Sequence, residues 1–259
     1  HLPKNKDYEV SAFYKAHQQV GGDYYDFLEL NENEVMFCMA DVSGKGVSAA
    51  FLMANFQAYL RSIFAYNSGS LVNIVHELNG RVMQTALGEK YITLFLGVYN
   101  KSERSLRYVN CGHNPPILGD QNGYTQQLKL GTIGLGMFEE LPKVVEGRVL
   151  LEPDSIIVCF TDGLVETENL NNEEYGAERL EKVLLAFLTL KYERARSRMS
   201  CRISFVVSTF LRGVRVRLLS GGEDREAAAA EPTASSSAIA GSEAQSEGAA
   251  VKPPHRVRW

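Results

Sequence analysis

Three aspartates stand where a carboxylate could do chemistry. Asp23 follows Gly21-Gly22 in GGDYYDF, with Asp26 three residues on. Asp41 closes the apolar run VMFCMA and opens the turn DVSGKG, and Asp162 follows SIIVCF in FTDGLVE. The last two share one grammar: apolar strand, aspartate, glycine turn, chain reversal. A carboxylate at a strand end is held on a rigid edge, and glycines beside it let a bound group or another backbone come close. Taken singly, an aspartate-glycine pair after a strand is an ordinary turn signal. Three such sites in one chain point to an oxygen-rich pocket. Like charges brought together are unfavourable unless cations neutralise them, and hard cations such as Mg²⁺ or Mn²⁺ favour carboxylate, carbonyl and water oxygens.

Other chemistries fail on spacing. SGKGVS lacks the phosphate-loop pattern, since Gly46 stands where Ser or Thr is required. An EF-hand needs oxygen ligands at alternate positions, which Lys45 and Val47 do not supply. There is no Gly-x-Ser-x-Gly elbow, and GTIGLG is not the dinucleotide pattern.

The elements that must hold these residues alternate between strand runs and grouped helices. Strands are expected at Tyr8–Tyr14, Asp23–Leu30, Glu34–Ala40, Ile92–Tyr99, Ser105–Asn110, Ile117–Leu118, Tyr124–Leu128, Val144–Leu151 and Ser155–Phe160. Helices are expected at Gly46–Tyr66, at Leu71–Leu87 with Ser70 as N-cap, and at Gly176–Phe187. The runs look antiparallel, which predicts an α+β layered fold and not a βαβ alternation.

The chain of 259 residues is 45% hydrophobic and 22% charged, an ordinary globular composition. The four cysteines form no metal knuckle, and read as small buried hydrophobes suited to a reducing cytoplasm. No secretory signal opens the chain, and its longest apolar region, broken by Asn55, Gln57 and Arg61, reads as a buried helix. Charge is uneven. Residues 1–188 carry 15 Lys+Arg against 24 Asp+Glu, or −9; residues 189–259 carry 12 against 7, or +5; together they give −4. Three regions are expected: a body over 1–188, a basic segment over 189–220, and a low-complexity tail over 221–259, which should be disordered.

VGGDYYDF, MADVSGKGVSAAFLMA, NCGHNPP and FTDGLVE, in this order and at these separations, resemble the SpoIIE/RsbU-type serine phosphatases of the metal-dependent (PPM, type 2C-like) superfamily. The resemblance covers about Leu2–Phe187. It implies a four-layer α/β/β/α sandwich of two antiparallel sheets flanked by helices. It implies two Mn²⁺ or Mg²⁺ ions, with Asp23 bridging them, Asp41 acting largely through water beside the Val42 carbonyl, and Asp162 ligating from the far strand. A metal-bridging hydroxide would attack phosphorus in line and release serine or threonine. Lys45 would approach the substrate phosphate, or be a solvated turn residue. His113 would hydrogen-bond a loop, or meet the substrate as a proton donor. Asp26 is expected to support its strand. The helix pair 46–66 and 71–87 resembles a regulatory switch and a homodimer contact, and the implied substrate is a phosphorylated STAS-type anti-sigma-factor antagonist.

The pattern breaks near the end. The family's terminal strand is preceded by Asp-Asp, and no such pair follows Asp162; the only later aspartate is Asp224. Phe205–Leu219, read as a strand pair in ISFVVSTFL and VRVRLL, has the period to replace that strand. The missing carboxylate leaves a second reading open, a phosphatase-like binding module without turnover. A third, nucleic-acid binding through the basic segment, lacks a recognisable motif and aromatic interleaving.

Overall fold

The computed structural model describes residues 8–15, 20–66, 69–169, 171–194 and 201–208. In chain order the elements are β1 (Glu9–Lys15), β2 (Tyr24–Glu29), β3 (Glu34–Val42), α1 (Val47–Tyr66), α2 (Leu71–Ala86), β4 (Ile92–Asn100) and β5 (Ser105–Cys111). There follow β6 (Ile117–Gly119), β7 (Thr125–Gln127), β8 (Gly131–Thr132), β9 (Gly147–Leu150), β10 (Ser155–Phe160), α3 (Asp162–Val165), α4 (Ala177–Arg194) and β11 (Cys201–Ser208).

Two sheets result, one ordered β1-β11-β10-β6-β7 and the other β2-β3-β4-β5-β8, with β9 also on β5. The layering is written in the alternation of strand side chains. On β3, Met36, Cys38, Ala40 and Val42 pack with Leu52, Phe56 and Leu60 of α1 and Ile74, Val75 and Leu78 of α2. The intervening Val35, Phe37 and Met39 face the other sheet, where with Phe95 and Tyr108 of their own sheet they meet Leu118, Ile157 and Cys159. On β10, Ile156, Val158 and Phe160 pack beneath Leu180, Leu184 and Leu188 of α4. Both central strands are buried on two faces, which is why EVMFCMADV and SIIVCF read as unbroken apolar runs. The order of layers is helix pair, sheet, sheet, helix, as expected.

Two features depart from expectation. Helix α4 runs to Arg194, past the boundary placed at 188. Strand β11 then enters the first sheet between β1 and β10, parallel to both. That sheet is therefore mixed, not antiparallel. Its cause is α4, which carries the chain back across the sheet, as a parallel connection requires. The expected strand ISFVVSTFL is largely β11, and VRVRLL lies outside the described residues. Among the described residues no helix is long and apolar enough to cross a membrane. Cys38, Cys111 and Cys159 are free and buried.

Candidate metal centre

Register brings the aspartates together. Tyr24 pairs with Ala40 in the β2–β3 hairpin, so the next position out sets Asp23 across from Asp41. Asp162 arrives from the other sheet, at the first turn of α3 immediately beyond β10. A cleft of about 330 Å³ opens here. Its walls are Gly21-Gly22, the segment from Asp41 to Gly46, Tyr91, and the α3 turn with Asp162, Glu166 and Thr167. A second chamber of about 200 Å³ adjoins it, shares Asp41, Tyr91, Asp162 and Glu166, and extends to Thr93, His113 and Asn114.

The glycines have work at two places. A Cβ on Gly22 would stand 3.0 Å from the Val42 carbonyl oxygen, so only glycine lets this segment cross the strand end. Gly44 and Gly46 hold φ of 85° and 83°, the left-handed region that folds the chain from β3 into α1. The turn is stitched to the β4 approach: Ser43 N–H donates to the Tyr91 carbonyl (2.9 Å), Tyr91 N–H to Ser43 Oγ (2.9 Å), and Lys90 Nζ to the Ser43 carbonyl (3.3 Å).

The electrostatics are those of crowded negative charge. Asp23 is 3% exposed, and its Oδ1 has no hydrogen-bond partner. Burial pushes its carboxyl well above the ordinary range, and the charges of Asp41 and Asp162 push the same way. Asp41 is also raised, by burial and by Asp162. The two carboxyls crowd one another, while Lys45 steadies the Asp41 charge. Burial, Asp162 and Glu174 raise Glu166 as well.

These residues fit divalent cations. The donors are hard oxygens, one buried carboxylate oxygen is orphaned, and the Val42 carbonyl lies beside the glycine segment. Among the described residues no three ligating side chains already close on one point. Asp23 and Asp41 touch, and Asp162 stands off within electrostatic reach. The expected fourth carboxylate has no replacement on β11: Cys201–Ser208 contains no aspartate, and because β11 runs parallel to β10 its start, Cys201, pairs with Ser155 at the end of β10 away from Asp162.

Lys45 lies exposed on the cleft wall. His113 is 6% exposed, its ring 3.0 Å from Thr93 Oγ1 through Nδ1. Its main chain is gripped by the Asn110 carboxamide, which accepts from His113 N–H (2.8 Å) and donates to its carbonyl (3.1 Å). Asp26 is not in the cleft. It takes a bidentate ion pair from Arg61 of α1 (Nε 2.7 Å, Nη2 2.7 Å) and a hydrogen bond from the Tyr24 hydroxyl. Tyr91, Thr93, Glu166 and Thr167 went unnoticed in sequence, where no local pattern marks them; only the four-residue step from Asp162 to Glu166 hinted at one helical turn.

The family profile of Stage II sporulation protein E (SpoIIE) matches residues 31–198. Among curated proteins, the chain is 26% identical over 220 residues to Protein IcfG of Synechocystis sp., covering 74% of this chain and 34% of that protein. It is 28% identical over 172 residues to the phosphoserine phosphatase RsbU of Bacillus subtilis, covering 65% and 50%. The chain thus spans about a third to a half of these relatives. Among solved structures, the RsbU and RsbW domains of Rv1364c from Mycobacterium tuberculosis superpose with a TM-score of 0.59 at 21% identity, over 70% of this chain and 49% of that one. The PP2C phosphatase domain of SpoIIE from Bacillus subtilis superposes with a TM-score of 0.53 at 17% identity, over 71% and 56%. Since the profile match spans β3 through α4, more than half of the chain, and takes in both Asp41 and Asp162, the chain belongs to the SpoIIE family.

Proposed function

We propose that the protein hydrolyses phosphoserine or phosphothreonine on a regulatory protein, using two Mn²⁺ or Mg²⁺ ions in the aspartate cleft. One observation carries this reading: Asp41 and Asp162, from two sheets, line one cleft, and the buried Asp23 beside them has an oxygen with no partner among the described residues. Asp23, Asp41, Asp162 and the Val42 carbonyl would hold the ions. Bound there, divalent cations supply charge neutralisation at the phosphoryl group and acidify water. The chain's own residues do the rest. Lys45 on the cleft wall meets phosphoryl oxygens, and the adjoining chamber at His113 receives the substrate beyond its phosphate. A thiol nucleophile has no support, since burial raises Cys38, Cys111 and Cys159 far above the range in which they ionise.

The name of the relative RsbU, a phosphoserine phosphatase, supports the residue type. The wider family resemblance supports a STAS-domain anti-sigma-factor antagonist as substrate, a cytoplasmic setting, and α1 with α2 as the homodimer contact. The test is Mn²⁺ titration by calorimetry beside phosphate release from a phosphoserine peptide, with wild type and Asp23→Ala. Two-site binding and turnover, both lost in the variant, are expected. Binding of a phosphoprotein with no turnover at saturating Mn²⁺ would instead favour the inactive binding module, which the lack of a carboxylate on β11 supports.

A further inference from the structure

Thr93 stands directly across the ladder from Asp41. Its Oγ1 donates to the Asp41 main-chain carbonyl (3.4 Å) and lies 3.0 Å from His113 Nδ1. A threonine hydroxyl has one hydrogen. If that hydrogen goes to Asp41, the contact with His113 must run the other way, from Nδ1–H into Oγ1. Nε2 is then bare. Nε2 is buried and closes no regular hydrogen bond among the described residues; the Phe160 carbonyl near the ring pulls toward a proton there, so the direction of the Thr93 bond decides the tautomer. The buried ring stands on a fixed backbone, because Asn110 holds the His113 main chain from both sides and is itself anchored to the Leu128 carbonyl (3.2 Å).

We propose that His113 and Thr93 form a positioning relay, Nδ1–H to Oγ1–H to O=C, that fixes the strand end on which Asp41 turns its carboxyl toward Asp23. Both relay residues line the chamber beside the aspartates, so the relay borders the site without touching its ligands' side chains. Its importance for catalysis rests on the phosphatase reading; its existence does not.

Two arms of one experiment keep those apart. In metal-free, ¹⁵N-labelled protein, the ring nitrogens of His113 should read as protonated Nδ1 and bare Nε2, and Thr93→Val should abolish that preference. In calorimetry, Thr93→Val and His113→Leu should each weaken Mn²⁺ binding about 10-fold, the range seen for outer-shell partners. The double variant should be no weaker than either single one, as members of one relay are not additive. Thr93→Ser and His113→Asn, which keep the two donors, should restore binding. With p-nitrophenyl phosphate, kcat should fall and KM hold. A wild-type Nε2–H tautomer, additive losses, or unchanged Mn²⁺ affinity in Thr93→Val would each overturn the relay. Thr93→Val preserves side-chain shape and carries the test should His113→Leu fail to fold. A wild type that binds no Mn²⁺ would sink the phosphatase reading, and the tautomer arm would still decide the relay.

Discussion

Asp23 keeps a proton that an ordinary aspartate surrenders near pH 3.8, because burial and two neighbouring carboxylates disfavour its charge. A carboxyl raised in the folded state stabilises the fold while protonated and loses that contribution as pH rises. His113 runs the opposite way. Burial lowers it to about 4 from 6.5, so it destabilises only as pH falls below 6.5. Above pH 6.5 the histidine no longer contributes and the carboxyls act alone. Metal-free protein should therefore lose stability between pH 6.5 and 8.5, on the order of 2 kcal/mol. Urea unfolding in EDTA checks this. Asp23→Asn should flatten the slope and raise metal-free stability while bringing phosphate release below detection. Saturating Mn²⁺ should flatten it too, by neutralising the same charges; a slope unchanged by either would refute the account.

At the scale of elements, α1 is held at two points. Its N-terminus leaves the turn that follows Asp41, and Arg61 in its last third clamps Asp26, three residues from Asp23. Arg61→Ala would leave the Asp26 carboxylate buried with only the Tyr24 hydroxyl and the Phe27 N–H, and should destabilise by about 3 kcal/mol in chemical denaturation. Asn79 does the same for α2. Its carboxamide donates to the carbonyls of Phe138 (3.0 Å) and Glu139 (3.1 Å) and accepts from Gly136 N–H (2.8 Å). Asn79→Leu should destabilise by about 2 kcal/mol and loosen the 133–139 loop, read by amide exchange. Elements with a clear period were legible in sequence: β3, α1, α2 with its Ser70 cap, β4, β5 and β10 all lie within two residues of expectation. The two-residue β8 and four-residue α3 were not, since neither is long enough to show a period. The aspartates could be picked out because each breaks an apolar run. Thr93 could not, because a threonine inside a strand is ordinary, and its role exists only across the ladder.

For the whole molecule, the surprise is β11. Its position between β1 and β10 makes it the middle of a sheet, not a replacement edge. A chain stopped after Arg194 should lose cooperative unfolding, whereas one stopped after Ser220 should keep the wild-type melting temperature; calorimetry of the pair decides. Composition could flag a change of character after Phe187, but the direction of β11 depends on where α4 ends, which no local pattern states. That placement has a consequence in time. β1 is the first described strand and β11 the last, with Glu9 paired to Arg202. At about 5–20 residues per second, translation separates these partners by roughly 10–40 s. Until then β1 and β10 each present an unpaired edge while the hairpin sheet of β2 to β5 can already form. The nascent chain is thus a half-built sandwich with one finished sheet, and its risk of aggregation is set by the ribosome's pace over the final third of the body.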